Sequence, residues 1–87
     1  MNETAQLNFA LADVLQAFDP YKAGEGFYET EMADAIYAVH QLEDSVKLAA
    51  EIRRIYEHSF DEPIPGGDPI KLAQNLLFIK NNKSCSL

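Results

Sequence analysis

Apolar side chains recur at three- and four-residue steps in four stretches of this chain, a spacing that predicts helices. In the first, Leu7, Leu11, Val14, Leu15 and Phe18 form one stripe, with Asn2 or Thr4 placed to cap it and Asp19-Pro20 to end it. Lys22 to Gly26 reads as a loop, because two glycines flank Glu25 and no apolar period runs through it. A second helix is expected from Phe27 or Tyr28, with Tyr28, Met32, Ala35, Ile36 and Val39 on one arc and Thr30, Asp34, Tyr37 and Gln41 opposite. Asp44 or Ser45 caps a third, running from Val46 to about Phe60 with Leu48, Ile52, Ile55, Tyr56 and Ser59 as its stripe. Its outer face is expected to pair Lys47 with Glu51 and Arg53 with Glu57 at four-residue spacing. Pro63, Pro65 and the Gly66-Gly67 pair interrupt the pattern. Asp68 as N-cap and Pro69 at the first helical position then restart it. Ile70, Ala73, Leu76 and Leu77 give the fourth stripe, which fades at Ile79.

The pattern thus specifies an all-α, compact four-helix domain with short loops and one longer Pro/Gly loop between helices three and four. Residues 1–80 form the single domain, and 81–87 read as a flexible polar tail. The loops near Lys22 and Pro65 are the expected flexible points. A length of 87 residues with 47% hydrophobic and 24% charged residues is enough for one core and too apolar for a disordered acidic segment.

No apolar run approaches the roughly 20 residues that span a bilayer. The N-terminal stretch Met1 to Gln6 has neither the basic nor the apolar region of a secretory signal, so a cytoplasmic setting is expected. The lone Cys85 agrees with it, being read as a free thiol.

Charge changes the picture most. Residues 1–46 hold nine carboxylates (Glu3, Asp13, Asp19, Glu25, Glu29, Glu31, Asp34, Glu43, Asp44) against Lys22 alone, a net of -8, while residues 47–87 carry five acids and six bases, a net of +1. A field of that shape steers a cationic partner and repels nucleic acid and anionic membrane. The competing reading is that the acids only keep a small domain soluble. Glu29 and Glu31 also suit the first turn of the second helix, where the dipole favours negative charge.

Enzyme signatures are missing. The chain has no Gly-rich phosphate loop, nucleophile elbow, cysteine pair or His-Glu-x-x-His helix. Neither His40 nor His58 has a glutamate three residues before it, as a di-metal carboxylate bundle requires. Glu29 and Asp34 project roughly 140° apart on a helix, too divergent to share one small ion. No catalytic residue, cofactor or metal is therefore expected.

The segments Asp19-Pro20, Gly26-Phe27-Tyr28-Glu29-Thr30-Glu31-Met32-Ala33-Asp34, Ala38-Val39-His40 and Ile55-Tyr56-Glu57-His58-Ser59-Phe60 resemble the YugE-like family, small bacterial domains of unknown function. The resemblance spans about Phe18 to Leu77 and departs from the family pattern in the loop Pro63 to Asp68. It implies a compact all-α fold and a bacterial cytoplasmic protein, and it supplies no activity.

What remains is binding. Tyrosines beside acids are the composition of an interface anchored by rings and steered by charge. The expected protein-binding residues are Glu25, Glu29, Glu31, Asp34 and Tyr37, with Tyr37 the leading contact and Phe27 and Tyr28 assigned to the core. The function expected is a non-enzymatic domain for a basic protein partner, in its most concrete form an immunity-type inhibitor covering the cationic site of a toxin nuclease. The alternative is a small regulatory or structural protein that self-associates, as a homodimer, through Phe60, Phe78 and Ile79.

Overall fold

Asp44 sits in extended backbone and its Oδ1 accepts from the N–H groups of Val46 at 2.8 Å and Lys47 at 3.3 Å, which starts a helix at Ser45. That helix is the third of four in a computed structural model that describes residues 3–24 and 26–85. In chain order they are α1 Glu3–Ala17, α2 Glu29–Gln41, α3 Ser45–Phe60 and α4 Ile70–Cys85, with no strand among the described residues. α3 packs against α2 and α4, α1 against the same two, and α2 also touches α4.

Long-range bonds from three side chains fix an up-and-down arrangement. His40 Nε2 meets Asn8 Oδ1 at 2.8 Å, joining the end of α2 to the first half of α1. The Tyr21 hydroxyl donates to the Glu62 carbonyl at 2.7 Å, joining the exit of α1 to the loop before α4. Lys80 Nζ donates to the Val39 carbonyl at 2.9 Å and meets Glu43 Oε2 at 2.6 Å, so a lysine of α4 caps the orphan carbonyls at the end of α2.

The stripes read from the sequence supply the core. Leu11, Leu15, Ala35, Val39, Leu48, Ile52, Tyr56, Ala73 and Leu76 are buried, while Val14, Phe18, Met32 and Ile36 pack at its edge. A Cα radius of gyration of 12.5 Å, against about 12 Å for a compact chain of this length, is that of a compact globule.

Several local expectations are corrected. Ser59 is exposed, and Ala49 takes the adjoining place in the stripe of α3. Glu51 pairs with Arg54 at three-residue spacing instead of with Lys47. Asp68 does not cap α4. Its carboxylate pairs with Arg53 Nη1 at 2.8 Å, and the Pro69 carbonyl accepts the first helical bond, from Ala73. α4 runs on to Cys85, past the expected stop near Lys80, because Asn81 to Ser84 include no breaker and the Asn82 side chain bonds back to the Phe78 carbonyl at 2.8 Å. Residues 86 and 87 lie outside the described residues.

The two connections expected to flex are tied to each other. Asp19 accepts from the N–H groups of Ala23 and Gly24 and from the Tyr28 hydroxyl. Tyr21 stacks on Phe60 with centroids 4.6 Å apart. From the other side, the Ile64 N–H donates to Glu57 Oε2 at 2.9 Å and its side chain, unlike the flanking Pro63 and Pro65, is buried with the core. The turn that follows puts Gly66 and Gly67 at φ 89° and 81°, a region costly to residues with a Cβ.

Candidate functional site

α2 packs against α3, and between them lies an open groove of about 430 Å³ with the small Ala38 in its lining. Ala38, Leu42 and Ile55 contribute apolar surface, and Asp34, Tyr37, Gln41, Glu51 and Arg54 contribute polar surface around it. Tyr37 is 68% exposed, which leaves its ring free for an incoming group. The wheel placed Thr30, Asp34, Tyr37 and Gln41 outward on α2, and all four are exposed.

The cation in this groove is already engaged. Arg54 forks onto Glu51, with Nε to Oε1 at 3.0 Å and Nη2 to Oε2 as the second arm. That contact holds the Glu51 carboxyl below the usual carboxylate range and raises Arg54, to which the charge of Asp34 adds. Two carboxylates against one guanidinium leave the groove net negative, with Asp34 making no ion pair among the described residues.

The five expected binding residues do not form one face. Asp34 and Tyr37 share the α2–α3 groove. Glu29 is exposed but lines a different hollow, with Gln16, Gly26, Tyr28 and Met32. Glu31 is 7% exposed and belongs to the interior. The signal for it was present, since Glu31, Ala35 and Ala38 fall at i, i+4 and i+7 on one stripe. Glu25 lies outside the described residues.

The acidic half is also partly spent inside the fold. Asp19 holds its own loop, Glu43 pairs with Lys80 and Asp44 caps α3. Among the described side chains of that half, Asp13, Glu29 and Asp34 remain as exposed carboxylates without an ion pair or cap.

Phe27, expected in the core, is 67% exposed, because it precedes α2 and Tyr28 takes the interior place. Phe60 and Ile79 pack against the core, so of the apolar patch expected for self-association only Phe78 stays outside, at 67% exposure. No group of three or more His, Cys, Asp or Glu among the described residues is arranged to hold a metal, and no helix of the described residues is long and apolar enough to cross a membrane.

A second hollow, about 500 Å³, is lined by Pro20, Tyr21, Lys22 and residues 62–65. Its walls are the two loops, tied to each other by the Tyr21 bond and to α3 by the Ile64 bond, so its geometry is accounted for by the fold. The α2–α3 groove has no such internal role.

The model of a family described as a domain of unknown function, DUF1871, matches residues 10–86. The chain is 42% identical over 73 residues to the uncharacterized protein YugE of Bacillus subtilis, covering 84% of this chain and 85% of that one. The fold is similar to the crystal structure of APC36109 from Bacillus stearothermophilus, with a TM-score of 0.82 and 44% identity over 88% of this chain and 95% of the other.

Proposed function

The chain belongs to the DUF1871 family, whose function is unknown, and from that premise we propose that it is a non-enzymatic protein-binding domain that engages a basic partner through the α2–α3 groove. The observation that carries this reading is Tyr37, 68% exposed beside Asp34 at the edge of a groove with apolar surface from Ala38, Leu42 and Ile55. A ring beside an apolar hollow is the anchor of many interfaces, and an unpaired carboxylate next to it selects a cation. The groove is lined on α2 from Asp34 to Gln41, about 10 Å of helix, and so takes one or two side chains of a partner. In its narrower form the partner is a toxin nuclease whose cationic site is covered, and the setting is the bacterial cytoplasm.

The test is capture from native lysate with wild-type bait beside an Asp34→Lys, Tyr37→Ala double variant, at low and moderate salt. Glu31 is left alone because a lysine in its interior place would disturb the fold. A basic protein held by wild type, lost from the variant and weakened by salt is the expected result. Equal capture by both baits would sink the groove reading. Inhibition of the captured protein's nuclease activity would separate the narrower form from simple escorting.

A further inference from the structure

Charge is divided between two helices in opposite senses. α2 carries Glu29, Glu31 and Asp34 and neither lysine nor arginine, whereas α4 carries Lys71, Lys80 and Lys83 and no carboxylate. Lys80 is committed to the end of α2, but Lys71 is exposed. On the same outward row stand Gln74, Asn75 and Phe78, all exposed, with Phe78 at 67%. That row has the chemistry the groove selects: an aromatic side chain, a cation and no acid.

The spacings also agree. Lys71, Gln74, Asn75 and Phe78 fall at i, i+3, i+4 and i+7, and so do the α2 positions of the groove, Asp34, Tyr37, Ala38 and Gln41. Each row spans seven steps of 1.5 Å, about 10 Å. We propose that the groove of one copy takes the outward row of α4 from a second copy, the helices parallel, with Lys71 against Asp34 and Phe78 over Ala38 and Leu42. The proposal rests on reading the groove as a protein-binding site and names a second copy as an occupant.

Groove and row are different patches of one chain, so the contact is heterologous, and each copy has both halves to offer. Two turns of helix bury less than a standard interface, and each copy carries a net charge of -7, so association is weak.

Sedimentation velocity on the full chain, from about 10 µM to about 1 mM at moderate salt, reads this directly. The mean mass of wild type should rise with concentration above the 9.7 kDa of one chain. Phe78→Glu should hold it at the monomer, since it places an acid in an acidic groove. Asp34→Lys and Lys71→Glu should each weaken association by about tenfold, and the two combined should restore it by exchanging the charges. All these positions are exposed, and circular dichroism checks that each variant keeps its helix content.

A wild type that stays monomeric throughout, or a Phe78→Glu variant that associates like wild type, would overturn the proposal. If wild type is monomeric yet captures a basic protein through Tyr37, the second copy is excluded and the groove reading survives. Association that follows Phe78 and Asp34 while no foreign protein is captured excludes the foreign partner instead.

Discussion

Two regions of this bundle spend their tyrosines and carboxylates differently. Where the loops meet, Phe18, Tyr21, Tyr28, Tyr56 and Phe60 form one network of ring contacts 4.6 to 5.5 Å between centroids, and Asp19 and Glu57 accept bonds from the surrounding loop N–H groups. In the α2–α3 groove, Tyr37 faces solvent and Asp34 has no ion pair among the described residues. The same residue types hold the fold together in one place and stand free for a partner in the other. Composition cannot separate those uses, because the difference lies in which groups already have bonds.

The contrast breaks most sharply on truncating one tyrosine from each region. Tyr56→Ala should cost about 3 to 5 kcal/mol in denaturant unfolding, because a fully buried ring is lost. Tyr37→Ala should stay within about 0.5 kcal/mol of wild type. Comparable losses at the two positions would mean that Tyr37 is structural and the groove is not a free surface.

A smaller effect is expected at Lys80, whose side chain is 12% exposed and caps α2. Lys80→Met should cost about 1 to 3 kcal/mol, since the Val39 and Leu42 carbonyls lose their donor. A denaturation midpoint unchanged from wild type would show those carbonyls to be satisfied without it.

The aromatic end contains one polar atom it does not use. The Tyr56 hydroxyl is buried without a hydrogen-bond partner among the described residues. Burial first, and then the charge of Glu31, hold its pKa above the usual tyrosine range. Tyr56→Phe should therefore be neutral or stabilise by up to about 1 kcal/mol, where loss of a satisfied hydroxyl would destabilise. A drop in midpoint would reveal a partner for that oxygen.

Acid provides the mildest probe. The Tyr28 hydroxyl, followed by loop N–H groups, holds Asp19 below its ordinary value of 3.8. The Ile64 N–H, followed by Arg53, holds Glu57 below 4.5. Both contributions are complete above those ordinary values and are lost as pH falls through the lowered folded ones. Thermal melts should show the native state weakening below about pH 4, and an Asp19→Asn, Glu57→Gln variant should show a flatter acid limb. An unchanged acid limb in that variant would put the sensitivity elsewhere, for instance at Glu51, which Arg54 also holds low.

The four helices, their stripes and the Asp44 cap were legible in the sequence, because burial on one face of a helix is a local period of 3.6 residues and capping involves neighbours in the chain. The outward place of Asp34 and Tyr37 was legible for the same reason. The groove itself was not, since its lining joins residues of two helices that only packing brings together. Likewise, the -8 of the first half is a property of the sequence, but Glu43 is drawn off the binding surface by Lys80, a contact that only packing creates, while Asp19 and Asp44 are held by bonds to nearby backbone and Glu31 by its place on the buried stripe of α2. Asp68 and Glu57 follow the same logic: each has a sensible local role, and each is drawn to a group many residues away by the folding of the Pro63 to Gly67 loop against α3. The sequence by itself determined what each helix buries. The tertiary structure alone decided which charges and rings are left over for a partner, because a side chain is free only when no other part of the chain reaches it.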